Sequence, residues 1–277
     1  MTAKRSQKGK RDKPGRGEWL YGRQSVRETL RAGRRVFYGL YLAQGLKPSP
    51  LVSEVQTLAR AKNIPLHRVE RRQLDEWLGG VNHQGLALHT SPYPYAGLDQ
   101  VLQLAHQRGE PPLILLLDRV QDPQNLGSLL RTAEACGVHG IVIPKHRAAG
   151  ITPAVVNSSA GAVAHLLICQ ETNLTTTIER LKQEGIWVVG LEKDPRAQSL
   201  TASDLSGPLA VVVGSEGYGL GRLVSERCDW LVALPMVGQI NSLNAAVAGS
   251  IVLYRILEQR LARLQDRSTK AAQSRPE

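Results

Sequence analysis

Five short runs of apolar residues without polar alternation constrain the fold of this 277-residue chain most strongly. They cover residues 113–117, 140–143, 166–168, 186–189 and 209–213. A strand covered on one face alternates between apolar and polar residues, whereas a strand covered on both faces does not. Segments with helical spacing lie between the runs, at residues 125–136, 153–163, 174–184 and 220–227, and a long helix is predicted over 243–264. The alternation predicts a parallel sheet with helices on both faces.

A smaller α/β unit is predicted upstream, over residues 18–90. Helical spacing at residues 24–32 and 51–61 alternates with β-rich segments at residues 36–42, 66–69 and 86–90. Residues 91–97 hold two prolines and a glycine, which indicates a stiff connection. We therefore divide the chain into a basic arm (1–17), a small domain (18–90), a linker (91–112) that includes a short helix, a main domain (113–264) and a polar tail (265–277).

The net charge of +11 indicates an anionic partner. Much of the excess lies in the arm, at Lys4, Arg5, Lys8, Lys10, Arg11, Lys13 and Arg16. Such a run cannot bury apolar area, so the arm is expected to be disordered. It is either a solvated tail that aids solubility or an arm that neutralises nucleic-acid phosphates.

Composition excludes several other classes of protein. Hydrophobic residues make up 42% of the chain, which is enough for a core, and no apolar stretch reaches the length of a membrane span. The N-terminus lacks the apolar run of a secretory signal, so a cytoplasmic location is expected. Cys136, Cys169 and Cys228 fit neither a disulfide framework nor a metal-ligand spacing, and no metal is expected.

The first polar cluster, residues 118–131, follows the apolar run 113–117. Asn125 is predicted to be the N-cap of the next helix, and Arg131 lies off that helix's apolar stripe. Taken alone, Asn125 could be an ordinary cap and Arg131 an ordinary surface arginine. However, ligand sites in parallel sheets form beyond the carboxyl ends of strands, and this cluster lies at such an end, so it is a candidate ligand site.

The second cluster, residues 214–221, follows the apolar run 209–213. Its glycines, Gly217-x-Gly219-x-Gly221, match neither the dinucleotide fingerprint nor a phosphate-binding P-loop. Glu216 within the loop is poorly suited to phosphate and is better suited to hydrogen bonding with a neutral or cationic group.

The third cluster, residues 234–244, leads into the final predicted helix. Ser242 could be a simple helix cap. Asn244 is predicted to lie one turn inside a helix that is otherwise filled by alanine, valine and isoleucine.

Together the three clusters resemble the signature motifs of the SpoU/TrmH family of RNA 2′-O-ribose methyltransferases. The motif residues are Asn125-x-Gly127-x-x-x-Arg131, Gly214-x-Glu216-x-x-Gly219, and Pro235-Met236 through Ser242-Leu243-Asn244. Tyr21-Gly22 and His83-Gln84-Gly85 resemble the substrate-binding domain of the branch that methylates guanosine in bacterial 23S ribosomal RNA.

The resemblance implies an α/β methyltransferase domain threaded into a trefoil knot, behind a small substrate-binding domain. It implies S-adenosyl-L-methionine as the cofactor, in contact with the backbone around Gly214, Leu234 and Leu243. It also implies a homodimer with the active site near the dimer interface, and large-subunit ribosomal RNA as the substrate.

For the chemistry, the resemblance places Arg131 closest to the ribose 2′-hydroxyl, as a general base. An arginine side chain keeps its proton at neutral pH, so stabilisation of the developing alkoxide, or a phosphate-assisted route, suits it better. Asn125, Glu216, Ser242 and Asn244 would orient Arg131, the ribose and the cofactor.

Two alternatives remain open at this stage. A tRNA-specific enzyme of the same family would share the chemistry, although the small N-terminal domain favours ribosomal RNA. A non-catalytic RNA-binding protein would be expected to lack Arg131 or Asn244, and both are present.

Overall fold

The computed structural model describes residues 15–240 and 242–273. The predicted basic arm lies outside the described residues as far as residue 14, as does the end of the predicted polar tail from residue 274. Among the helices of the described ranges, none is long and apolar enough to cross a membrane.

The small N-terminal domain is a four-stranded sheet in the order β1-β4-β2-β3, in which only β2 and β3 pair in parallel. Its elements are β1 (Glu18–Tyr21), α1 (Arg23–Ala32), β2 (Phe37–Ala43), α2 (Pro50–Ala61), β3 (Leu66–Val69), α3 (Arg71–Leu78) and β4 (Leu86–Thr90). Helices α1 and α2 pack on one face of the sheet and α3 packs on the other. The predicted small α/β unit is confirmed. Its first strand and α3 were not predicted, and α3 buries only Leu74.

The large domain is a seven-stranded parallel sheet in the order β7-β6-β5-β10-β8-β11-β9. Its elements are α4 (Leu98–Arg108), β5 (Leu113–Leu117), α5 (Pro123–Ala135), β6 (Gly140–Pro144), α6 (Pro153–Ser158), a 3₁₀ helix (Ala162–His165), β7 (Ile168–Glu171), α7 (Leu174–Gln183), β8 (Trp187–Leu191), β9 (Gln198–Ser199), β10 (Leu209–Val213), α8 (Arg222–Arg227), β11 (Trp230–Ala233) and α9 (Ala245–Gln273). The predicted parallel sheet is confirmed. How the chain threads between these strands, and hence the knot, stays a prediction.

The central strands β5 and β10 are buried along their whole length. Alternate residues of β5 point to opposite faces, so Leu115 packs with α5 and α9, while Leu116 packs with α4 and α7. Burying one such side chain stabilises the fold by roughly 1.5–3 kcal/mol. Two covered faces explain why these strands carry no polar alternation.

The predicted helix over 153–163 is broken at the junction between the two domains. It stops at Ser158 because Ala160 and Gly161 take positive φ values of 51° and 86°. A Cβ atom at Gly161 would lie 2.7 Å from the Cβ of Glu28 in α1. The break therefore allows α1 of the small domain to approach the large domain closely.

The strand predicted at 166–168 starts later in the structure, because the carbonyl of Leu166 is hydrogen-bonded at the junction between the two domains instead of within the sheet. It accepts a hydrogen bond from the hydroxyl of Tyr93 at 2.7 Å and another from the guanidinium of Arg34. The strand, β7, begins at Ile168 instead.

The final helix is longer than predicted. It begins at Ala245 rather than at residue 243, and it continues to Gln273 rather than ending near residue 264. After Gly249, no glycine or proline occurs until Pro276, so nothing in the intervening sequence stops it.

Candidate active site

The three motif segments follow strands of the large sheet at their carboxyl ends. Asn125 lies beyond β5, Glu216 lies beyond β10, and Asn244 lies beyond β11. Strands β5 and β10 are neighbours, and only β8 separates β10 from β11. Because the carboxyl ends of parallel strands meet at one edge of a sheet, the three segments converge.

Asn125 is the third residue of α5, and the prediction that it caps this helix is wrong. Asp122 is the cap, and its carboxylate accepts the backbone N–H of Asn125 at 3.0 Å. Pro123 occupies the first helical position, which suits a residue without an N–H. The side chain of Asn125 is thereby free for another role, and its Nδ2 donates to Oε2 of Glu216 at 3.0 Å.

Glu216 projects from a tight turn that closes directly after β10. The backbone groups of Ser215 and Gly219 bond to each other at 3.2 and 3.0 Å, and Gly217 and Gly219 have positive φ. A Cβ atom at Gly214 would lie 2.3 Å from the carbonyl of Gly219. Glycine is therefore required at 214 for the turn to fold back onto the strand end.

Asn244 is the residue that caps α9, not one inside its first turn. Its Oδ1 accepts the backbone N–H groups of Ala246 and Val247 at 2.9 and 3.3 Å. Because the oxygen faces the helix, the Nδ2 group must face the other way. It donates to Oδ1 of Asn125 at 2.8 Å and to Oε2 of Glu216 at 3.0 Å.

The structure therefore joins Asn125, Glu216 and Asn244 in one hydrogen-bonded cluster. One oxygen of Glu216 accepts from both amides. Its other oxygen makes no hydrogen bond with any residue of the described ranges, and the side chain is exposed. The cluster thus offers an oriented carboxylate oxygen to a ligand.

Arg131 does not join this cluster within one chain. It lies six residues beyond Asn125, an advance of about 9 Å along the helix with a rotation of about 240°. It lines a separate cleft of about 390 Å³ between the domains, together with Gln24, Glu28 and His165. Arg131 is exposed and makes no ion pair with any other residue that the structure describes.

The predicted cofactor residues lie beside the cluster. Leu234 lines a groove of about 740 Å³ that also contains Asn125 and Asn244. The segment that follows exposes apolar side chains, with Ile240 74% and Leu243 40% exposed. Ser242 is exposed as well and caps no helix, and it makes no hydrogen bond with the described residues.

Two acidic residues near the cluster were not singled out from the sequence. Asp118 directly follows β5 and Glu192 directly follows β8, and both carboxylates accept backbone N–H groups of the loop that carries Glu216. The signal was the one that marked the other segments, a polar residue immediately after a buried strand. No group of three histidine, cysteine or acidic side chains within the described residues could hold a metal ion.

Two family profiles match the chain, one in each domain. The SpoU rRNA Methylase family matches residues 112–254, and the RNA 2′-O ribose methyltransferase substrate binding family matches residues 19–96. The second match corresponds to the small four-stranded domain, and the first contains all three motif segments.

Curated relatives match along nearly their whole length. YacO of Bacillus subtilis, described as a TrmH family tRNA/rRNA methyltransferase, is 42% identical over 243 residues, which cover 88% of this chain and 96% of YacO. A relative with the same description in Staphylococcus aureus is 39% identical, covering 87% of this chain and 96% of the relative.

Solved structures share the fold. An AdoMet-bound rRNA methyltransferase from Sinorhizobium meliloti has a TM-score of 0.72 at 24% identity, covering 88% of this chain and 87% of that one. The SpoU methyltransferase AviRb from Streptomyces viridochromogenes, also in complex with AdoMet, has a TM-score of 0.73 at 23% identity, covering 88% and 90%. A TrmH/SpoU tRNA modifying enzyme from A. aeolicus covers only 60% of this chain and 86% of its own, with a TM-score of 0.51 and 25% identity. This chain belongs to the SpoU/TrmH family of RNA 2′-O-methyltransferases and carries the N-terminal substrate-binding domain.

Proposed function

We propose that this protein methylates the ribose 2′-hydroxyl of a guanosine in large-subunit ribosomal RNA, with S-adenosyl-L-methionine as the methyl donor. The observation that carries the proposal is the hydrogen-bonded cluster of Asn125, Glu216 and Asn244 at the carboxyl edge of the large sheet. Each of the three motifs contributes one residue to it.

The residues around Gly214, Leu234 and Leu243 fit S-adenosyl-L-methionine. The exposed apolar side chains of Ile240 and Leu243 form a surface that an adenine ring can cover. At Gly214 the backbone of Gly219 approaches so closely that only a residue without a Cβ atom fits, which keeps this loop folded against the end of the strand. When bound, the cofactor supplies an activated methyl group, so that a C–O bond to the ribose forms as the C–S bond of the sulfonium breaks.

The protein's own residues then have two tasks, orientation of the partners and stabilisation of the hydroxyl as it loses its proton. We assign orientation to Asn125, Glu216, Ser242 and Asn244. We assign Arg131 to the developing alkoxide, because a guanidinium is a strong donor and a poor base. A phosphate of the RNA held beside Arg131 is a suitable acceptor for the proton.

We propose that two copies of the chain complete the site as a homodimer. Arg131 and the Asn125 cluster lie in different cavities of one chain. On α9, Val247, Ile251 and Tyr254 form an exposed apolar stripe beside the groove that holds Asn125 and Asn244. A twofold contact along this stripe would bury it and bring residues of one subunit to the site of the other.

The extent of the structural matches favours ribosomal RNA over tRNA. The solved rRNA methyltransferase covers 88% of this chain, whereas the solved tRNA enzyme covers 60%. The small domain, which matches a substrate-binding family, gives the protein a second surface for a large RNA. A tRNA substrate is the second candidate, because the relatives' descriptions include both RNAs. A cytoplasmic location stays a prediction from the sequence.

Mapping of ribose methylation in RNA from cells that lack this protein tests the proposed substrate. We expect one 2′-O-methylguanosine to disappear from large-subunit ribosomal RNA and to return when the gene is restored. Loss of a ribose methyl group from tRNA alone, with ribosomal RNA unchanged, would replace the proposal with the second candidate.

A further inference from the structure

Two carboxylates accept hydrogen bonds from the C-terminal end of the loop that carries Glu216. Oε2 of Glu192 accepts the backbone N–H of Leu220 at 2.7 Å, and Oδ2 of Asp118 accepts the backbone N–H of Gly221 at 2.6 Å. Asp118 directly follows β5 and Glu192 directly follows β8, and these two strands lie on either side of β10 in the sheet. Consecutive N–H groups of one loop are thus bound from opposite sides.

The glycine pattern of the loop follows from these contacts. A Cβ atom at Gly219 would lie 2.5 Å from Oε1 of Glu192, and one at Gly221 would lie 3.1 Å from Oδ2 of Asp118. Gly219 also has φ of +61°, which other residues rarely adopt. Gly217-x-Gly219-x-Gly221, which fits no nucleotide fingerprint, therefore includes two positions where the backbone must approach a carboxylate.

Apart from the hydrogen bonds of Glu216 to Asn125 and Asn244, the remainder of the loop makes few contacts with neighbouring elements. Glu216, Gly217 and Tyr218 are exposed, and Tyr218 is 85% exposed. The hydrogen bonds between Ser215 and Gly219 fix the shape of the turn but not its position relative to neighbouring strands. Besides the hydrogen bonds of Glu216 to Asn125 and Asn244, its position depends on Gly214, on the buried side chain of Leu220 and on the two carboxylates.

The two acids differ in their surroundings. Asp118 is buried and also accepts from Nε of Arg119 at 3.2 Å, so its charge is partly balanced. Glu192 makes no ion pair with a described residue. Its own backbone N–H donates to the carbonyl of Val232 in β11, at 3.1 Å, two residues before Leu234. Glu192 therefore connects the loop after β10 with the strand that leads to the apolar cofactor segment.

We propose that Glu192 and Asp118 are positioning residues for methyl transfer. They hold residues 214–221 so that Glu216 reaches Asn125 and Asn244, and so that the backbone at Gly214 faces the cofactor. The inference rests on the proposed placement of S-adenosyl-L-methionine at this loop. A carboxylate suits the task because a charged acceptor binds a backbone N–H more strongly than a neutral one.

Glu192→Ala, Glu192→Gln and Asp194→Ala in the full-length protein test the proposal. Asp194 is the matched control, because it lies two residues away, is close to the surface and, within the described ranges, pairs only with Arg196. Glu192→Ala removes the acceptor for Leu220, whereas Glu192→Gln keeps an oxygen there. The measurements are S-adenosyl-L-methionine affinity by calorimetry, kcat and KM for the cofactor, and the thermal midpoint without cofactor.

We expect Glu192→Ala to weaken cofactor affinity and to raise KM by about tenfold, with a lower kcat, since an unsatisfied N–H remains in the loop. Glu192→Gln should recover affinity to within about threefold, and Asp194→Ala should match the native protein. Native affinity and kcat in Glu192→Ala would overturn the inference. A loss shared equally by Asp194→Ala would also overturn it.

If Glu192→Ala does not fold, the cofactor affinities of Glu192→Gln and Asp118→Asn are compared instead to test the positioning role. Asp118→Asn must satisfy both Gly221 and Arg119 with a single oxygen, so it should weaken cofactor binding more than Glu192→Gln does. Equal, native-like binding by both variants would contradict the inference. Failure of the native protein itself to bind the cofactor would instead refute the proposed function, so the two failures are distinguishable.

Discussion

Asn244 donates a hydrogen bond to Asn125 at 2.8 Å across 119 residues of sequence. The same side chain caps α9 through its oxygen, which accepts the N–H of Ala246 at 2.9 Å. Because the side-chain oxygen of Asn244 is bound to the start of α9, its amide NH₂ group faces Asn125 and Glu216. One residue therefore orients both the last helix and the hydrogen-bonded cluster of Asn125, Glu216 and Asn244.

Asn244→Asp separates these two roles. The carboxylate keeps an acceptor for the helix cap but loses the donor, and it places a negative charge next to Oε2 of Glu216. We expect methyl transfer to fall by about hundredfold or more, with little change in thermal stability. Asn244→Ala is the control, because loss of the cap should also lower stability by about 1 kcal/mol. Full activity of Asn244→Asp would show that the donor is not needed.

Arg131→Ala tests the residue assigned to the alkoxide. Because Arg131 is proposed to act on the ribose hydroxyl and not to hold the cofactor, we expect activity to fall by about a thousandfold with cofactor affinity within a few fold of native. Glu134→Gln, which changes the opposite charge in the same cleft, serves as the control. Loss of cofactor binding by Arg131→Ala would give the arginine a different role.

Mixing two inactive variants tests whether the site is shared between subunits. A dimer of one Arg131→Ala chain and one Asn244→Asp chain contains one intact pair only if the two residues come from different subunits. We expect random mixing to restore roughly a quarter of native activity, because half of the dimers then carry one intact site. Ile251→Asp, which charges the apolar stripe of α9, should give a monomer in sedimentation. No restored activity, or an active Ile251→Asp monomer, would contradict the shared site.

The buried His139 predicts a loss of stability in mild acid. Its Nδ1 accepts the backbone N–H of Leu113 at 3.1 Å, and burial lowers its pKa below the usual 6.5, although nearby Glu110 opposes the shift. The unfolded chain therefore takes up a proton more readily, so this contribution to stability is complete above pH 6.5 and is lost as the pH falls below it. Thermal midpoints between pH 5 and 8 should show the decline, and His139→Gln should reduce it. His106→Gln, an exposed control on α4, should leave it unchanged.

The sequence predicted the central strands well, for a reason visible in their packing. Strands β5 and β10 occupy the predicted residues because both faces are covered and every position must be apolar. Strand β11, Trp230–Ala233, was missed because only its two middle residues are buried. The convergence of Asn125 and Glu216 was predictable because each follows a predicted strand of one parallel sheet, whereas that of Asn244 was not, because it follows the missed β11.

Two of the errors in the sequence interpretation concern helix starts. Both Asp122 and Asn125 are good capping residues, and Pro123 decides between them because proline favours the first helical position. At α9, Asn244 was placed inside the helix, yet Ala245 is the first helical residue. The separation of Arg131 from Asn125 follows from the helical repeat alone. Helix α1 of the small domain lies across the cleft from Arg131. This neighbour could not be predicted, because it depends on packing between the two domains and not on a local sequence pattern.

An RNA substrate with a single 2′-deoxy sugar at the target nucleotide tests the central claim most directly. The cluster of Asn125, Glu216 and Asn244, together with Arg131, is assigned to a hydroxyl that becomes an alkoxide. We predict that the deoxy RNA binds with native affinity and accepts no labelled methyl group from S-adenosyl-L-methionine, while the matched ribose RNA is methylated. Transfer of label to the deoxy nucleotide would show that a base is the acceptor, and would contradict the account.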